Sequence, residues 1–304
     1  MATSDSTAMP DPSPEPQAGG SPALRLAAMS PVRLFYWSVR RELWENRFVY
    51  IAPLIVAAVF LLGFVIGVVH LPLSHVNASR SPAGHQSLTP LDFASFVVML
   101  TYLVVTVIYC LGALHNERSD RSILFWKSLP VSDVTTVIAK ASIAMVVLPL
   151  ITFAIIVVTQ GIMLLASTAA LWTRTPILPM WAALLYHLLT VHALYYAPFY
   201  GWLLLVSAWA RRAAFLWATV PVAAVLILER LVFHTSAFAH MLLSRIGGGP
   251  AATPFPPSGN MAIQAPTLAN LGAFLASPGL WTGLAVCALF LAAAVRLRRY
   301  QGPI

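Results

Sequence analysis

The sequence predicts an all-α integral membrane protein with six transmembrane helices, an N-terminal amphipathic helix in the membrane interface, and both termini cytoplasmic. Three observations carry this. Hydrophobic residues make up 59% of the 304 and charged residues 9%, against about 25% charged in ordinary soluble domains. Six apolar stretches each reach the roughly 20 residues that a helix needs to cross a ~30 Å hydrocarbon core. Basic residues are dense in every second connection, as expected where Lys and Arg stay on the cytoplasmic side.

The stretches run over 48–69, 93–114, 137–165, 181–210, 213–233 and 280–296. The third and fourth are long enough to tilt or kink, and each holds an interior proline, Pro149 and Pro198. Arg25, Arg33, Arg40, Arg41 and Arg47 precede the first stretch, and Arg118, Arg121, Lys127 and Lys140 follow the second. Arg211 and Arg212 separate the fourth from the fifth, and Arg296, Arg298 and Arg299 end the sixth. Those fourteen stand against four on the other side, Arg80, Arg174, Arg230 and Arg245.

Residues 1–30 are rich in Ser, Pro and Ala and read as a disordered cytoplasmic tail without a cleavable signal; 297–304 read as a short cytoplasmic tail. Over 31–47, Val32, Phe35, Tyr36, Val39 and Leu43 fall on one helical stripe. Arg33, Arg40 and Arg41 lie away from it, and Trp37 and Trp44 sit one heptad apart on its flank. The spacing predicts an interfacial helix with Trp at headgroup depth and Arg toward water and anionic lipid. The one large outer segment, 234–279, is expected to hold a short helix over 237–246. A Gly247-Gly248-Gly249 run and Pro250, Pro254, Pro256 and Pro257 then make it irregular.

Several function classes drop out. The two cysteines, Cys110 and Cys287, lie inside apolar runs, which indicates neither a disulfide framework nor a zinc site. The net charge of +8 is spread between apolar runs rather than clustered, so no nucleic-acid partner is expected. His70, His75 and His85 share an outer loop, and His187 and His192 are five apart, off a common α-helical face. None of these matches a metal-ligand spacing. No Ser–His, paired-Asp or His-Glu-x-x-His constellation is present for intramembrane hydrolysis. No phosphate-cradling loop is present either, since neither lysine, Lys127 or Lys140, follows a glycine-rich turn. The chain is therefore expected not to be an enzyme by itself and to bind no cofactor. Gln160, His187, His192 and Glu229 are the polar residues within spans that are candidates for a pathway or gate. Hydrogen bonds between helices explain Gln160 and the histidines at least as well.

The most informative stretch is HNERSDRSILFWKSLPVSDVTTVIAK, from His115 to Lys140. It sets Glu117, Arg118, Asp120, Arg121 and Lys127 around Ile123-Leu124-Phe125-Trp126. Glu117 and Arg121 are spaced i, i+4, which extends the second span as helix. Pro130 then disfavours helix, and Ser132 or Asp133 is placed to cap the third span. The result is an elbow over 115–136 that projects into the cytoplasm.

The wording ER-x-DRSILFWKSLPVSD, followed by a helix carrying Lys140, resembles permease subunits of ABC-2 type, export-class ABC transporters. The resemblance implies a permease driven by a separate ATPase subunit, which would hold ATP and Mg, and completed by a second permease copy or a related permease. It implies a bacterial inner membrane and contact with membrane lipid. In that family the connection between spans two and three seats on the ATPase. Carried over by position, Glu117, Arg118, Asp120 and Arg121 would make polar contacts and Phe125 and Trp126 apolar ones, with Lys127, Pro130 and Asp133 completing the elbow. Two alternatives stay open: a secondary transporter, although no Asp or Glu lies near the middle of a span, and a non-transporting membrane assembly factor.

Overall fold

The structure, a computed structural model, describes residues 30–70, 89–120, 132–167, 177–247 and 268–300. Among the described residues every regular element is helical. Six helices are long and apolar enough to cross a membrane: Phe48–Val68, Pro90–Ser119, Asp133–Ala166, Ile177–Tyr195, Ala214–Phe233 and Pro278–Tyr300. In chain order the α-helical pieces are α1 (Pro31–Glu45), α2 (Phe48–His70), α3 (Pro90–Gly112), α4 (His115–Ser119), α5 (Asp133–Ser142) and α6 (Leu148–Ala166). They continue with α7 (Ile177–His187), α8 (Ala197–Trp209), α9 (Ala214–Leu228), α10 (Ala237–Ile246), α11 (Leu268–Ala276) and α12 (Pro278–Tyr300).

Local chemistry sets the helix starts. Thr89 and Asp92 form a capping box at α3, and the Ser132 hydroxyl accepts the Thr135 N–H at 3.1 Å to start α5. Ser30 caps α1, with Pro31 in the first turn where its missing N–H costs nothing.

The two prolines mark where the long spans change pitch. Pro149 has no N–H for the carbonyl of Met145, and its ring crowds that carbonyl. A π-helical turn, Ile143–Val147, lies directly before it and links α5 to α6. Pro198 follows a longer π-helical stretch, Leu188–Tyr195, between α7 and α8. The fourth stretch, expected to be one helix over 181–210, is thereby divided into Ile177–Tyr195 and the shorter apolar Ala197–Trp209.

The core lies between α3, α5, α6, α8 and α12. Tyr102, Tyr109, Cys110, Ile143, Ala144, Tyr200 and Leu204 form its centre, with Val49 of α2 against them. The most extensive packing is α8 on α12. There Gly201 lets the backbones approach: a Cβ at that position would sit 3.3 Å from the Cys287 Cα and carbonyl oxygen. Close approach over a small residue is how apolar helices associate when no water drives them together. By contrast α9 buries only Ala214 and Ala218, the Ala218 carbonyl accepting the Trp202 indole N–H at 3.2 Å. Its other faces carry exposed Phe215, Leu216, Val220 and Ile227, as apolar as the core, an arrangement suited to hydrocarbon rather than water.

Candidate functional site

Charged side chains from distant parts of the chain meet at one end of the bundle. On α1, Val39, Glu42 and Leu43 face inward, Val39 and Leu43 against the core and Glu42 almost fully buried. Glu42 meets the single cation of α5. Lys140 is 2% exposed, with Nζ 2.6 Å from Glu42 Oε1 and 3.0 Å from Glu117 Oε1. Arg298, near the end of α12, pairs with Glu117 through Nη1 and with Asp133 through Nε at 3.0 Å. Arg41 lies 3.7 Å from Glu42 and 3.8 Å from Glu117, and reaches Glu45 at 3.5 Å. The Tyr109 hydroxyl and the Asn46 amide also donate to Glu42, at 3.3 and 3.1 Å. Glu45, partly covered by the cluster, is held above the usual carboxylate range by that covering, against the pull of Arg41.

Inside the bundle three carboxylates, Glu42, Glu117 and Asp133, thus face three cations, Arg41, Lys140 and Arg298, with the exposed Glu45 at the rim on Arg41. Balance matters because an isolated buried charge is expensive and a paired, hydrogen-bonded one is not. Beside the cluster, the Ser207 hydroxyl accepts the N–H groups of Leu114 and His115, each at 2.9 Å, and donates to the Leu111 carbonyl at 2.8 Å. Arg118 donates to the Ala208 carbonyl at 2.6 Å. The α4 turn is therefore fixed to α8, and the cluster fixes it further to α1, α5 and α12. Both ends of the 121–131 segment leave from this block.

Of the residues read as candidates, Glu117 and Arg118 are turned into the bundle and take partners within the chain, and Asp133 is held by Arg298. Asp120 is exposed. Arg121, Phe125, Trp126, Lys127 and Pro130 lie outside the described residues. Glu42 and Lys140 are the centre of the site, and sequence reasoning missed the pair. The signal was present: Val39, Glu42 and Leu43 sit at i, i+3, i+4, so one acid interrupts an apolar stripe, and Lys140 alone interrupts the third span.

The other candidates sit elsewhere. Gln160 is fully hydrogen-bonded between spans: its amide donates to Ser95 at 2.7 Å and the Leu91 carbonyl at 3.2 Å, and accepts the Trp181 indole at 2.8 Å. His187 and His192, expected on different faces, stack edge-on with ring centroids 5.3 Å apart. The expectation assumed 3.6 residues per turn, whereas the intervening π-helical stretch bonds i to i+5 and brings these two positions together. His192 also meets Tyr102 and Tyr196 edge-on, at 5.3 and 5.0 Å. Among the described residues no group of three or more His, Cys, Asp or Glu side chains is placed to hold a metal.

Glu229 is a helix cap. After a left-handed turn at His234, α10 folds back so that the Glu229 carboxylate accepts the N–H groups of Phe238 and Ala239, at 2.9 and 3.4 Å, and the Thr235 hydroxyl at 3.2 Å. Its partner in placing α10 is Arg245, which donates to the carbonyls of Tyr195, at 3.2 Å, and Gly279, at 2.6 Å, and lies over the Tyr195 ring. These contacts are those of a cap, because they satisfy free N–H groups in the first turn of α10. Glu229→Gln is expected to speed hydrogen exchange at Phe238 and Ala239 while leaving amides of α3 and α6 unchanged. Unaltered exchange at those two amides would reject the capping role.

Compared with models of protein families, with curated proteins and with solved structures, the chain matches none of them.

Proposed function

We propose that this chain is the membrane-spanning permease subunit of an ATP-driven exporter of ABC-2 type, working with a separate ATPase that holds ATP and Mg. A second permease copy or a related permease completes the translocation unit. Both termini are then cytoplasmic, α1 lies in the inner leaflet interface of a bacterial inner membrane, and the 121–131 segment docks the ATPase. The observation that carries the reading is the ion-pair block from which that segment leaves. Glu117 and Asp133, one on each side of the segment, are tied to a single guanidinium, Arg298, and Lys140 ties Glu117 to α1. A displacement of the segment is thus delivered to α1, α5 and α12 together, which is what coupling to a motor requires. The resemblance of the 115–140 wording supplies the kind of motor.

The test leaves the buried pairs alone. Glu117 is unsuitable for charge reversal because it is buried among cations; Asp120 is exposed. In a mild-detergent pull-down from the native host, the wild-type chain is expected to bring down an ATPase at equal stoichiometry. Asp120→Arg combined with Trp126→Ala is expected to lose most of it, by at least tenfold if Trp126 is an interface anchor, with insertion and elution volume unchanged. Full retention of the ATPase by that variant removes the segment from docking. Absence of any ATPase from the wild-type pull-down, with the protein intact, rejects the exporter reading.

A further inference from the structure

The face of α1 turned away from the protein has a pattern of its own. Arg33, Trp37, Arg40 and Trp44 are spaced i, i+4, i+7, i+11, one continuous helical stripe along roughly 16 Å of helix. All four are exposed, Trp37 by 46% and Trp44 by 64%. The Arg40 guanidinium lies 5.1 Å from the Trp37 ring and 5.9 Å from that of Trp44, so the cation is held between two indoles. The apolar stripe that would ordinarily face lipid is partly used up inside the protein, with Val39 and Leu43 against the core. The acids of α1 are also engaged, Glu42 with Lys140 and Glu45 with Arg41.

We propose that this ladder of alternating arginine and tryptophan is a binding strip for the phosphates of anionic membrane lipids. The inference rests on the interfacial placement of α1 proposed above and not on the ATPase. Two features of the structure choose lipid over a protein or a nucleic acid. The strip runs directly into the first span: exposed Arg47 is followed by exposed Phe48, Ile51 and Leu54, so the ladder ends where a hydrocarbon-facing surface begins. Its composition also fits the boundary between hydrocarbon and headgroups, where indoles place an apolar body and a polar N–H, and arginine pairs bidentately with phosphate. A guanidinium stacked between two rings is already ordered, which lowers the entropy lost on binding.

The experiment uses the full chain in nanodiscs of phosphatidylcholine with a minority of phosphatidylglycerol. Tyr36→Cys, on the same exposed face, carries a bimane label; Cys110 and Cys287 are both buried. A nitroxide near the headgroup is placed on one lipid or the other. Quenching by labelled phosphatidylglycerol is expected to exceed that by labelled phosphatidylcholine. Arg33→Gln and Arg40→Gln are each expected to lower that preference about fivefold. Equal quenching by the two lipids overturns the inference while leaving the interfacial placement standing. No quenching by either places α1 away from the membrane and overturns both. A photo-crosslinker at position 37 that captures a polypeptide instead of lipid also overturns it. Native mass spectrometry of the wild-type chain, with more phosphatidylglycerol than phosphatidylcholine retained, supports it without any variant; equal retention counts against it.

Discussion

Lys140→Met is expected to destabilise the protein by about 3–5 kcal/mol, the usual cost of removing one partner from a buried ion pair. The reason is what the substitution leaves behind. Glu42 and Glu117 are each more than nine-tenths buried, and among the described residues Lys140 is the one cation within 3.0 Å of both. Methionine matches the volume of the lysine stem and offers neither carboxylate a proton or a charge. Among the described residues Glu42 then keeps the Tyr109 and Asn46 hydrogen bonds and a distant Arg41. The expected readout is a lower melting temperature in detergent, together with faster proteolysis within α1. Adding Glu42→Gln to Lys140→Met is expected to recover much of the loss, because Glu117 retains Arg298. A single variant that melts like the wild type would show that the cluster carries no coupling energy.

Gly201→Leu is expected to prevent folding outright. A Cβ at Gly201 would lie 3.2 Å from Cys287 Sγ and 3.3 Å from the Cys287 Cα and carbonyl oxygen. Two of those three atoms are backbone and cannot swing aside. Even alanine forces α8 and α12 apart by a few tenths of an ångström, within the ~1–3 kcal/mol range of ordinary overpacking. Leucine adds three more carbons at the most extensive helix contact in the molecule. The Leu variant is therefore expected to lose its monodisperse peak in size-exclusion chromatography, and the Ala variant to keep the peak at a lower melting temperature. A Leu variant that elutes and melts normally would mean that α8 and α12 are not in close contact. The two predictions are linked, because α12 carries Arg298 into the ion-pair block, and loosening α12 withdraws a partner from Glu117.

Features set by nearby residues were readable from the chain itself. Six apolar runs announce six spans, Pro149 and Pro198 announce irregular turns, Ser132 announces a helix start, and the 237–246 pattern announces α10. What escaped depends on contacts between residues far apart. Glu42, Glu117, Lys140 and Arg298 meet only once the spans are packed, so no local pattern pairs them. The inward face of α1 escaped for the same reason: Val39 and Leu43 of its apolar stripe pack on the core beside Glu42, while Val32 and Tyr36 of the same stripe stay exposed. His187 and His192 escaped because the turn between them is not α-helical. Glu229 looked like a charge stranded near a span end, since its role appears only when the chain doubles back at His234.

The ion-pair block also has an order in time. A ribosome makes Arg41 and Glu42 first, then Glu117, Asp133 and Lys140, and Arg298 last, after every other span has been produced. Until that guanidinium arrives, Glu117 and Asp133 lack the partner they share in the finished protein. Arg298 is therefore the last member of the block to be made, and the two sides of the 121–131 segment gain their shared guanidinium only once α12 is complete.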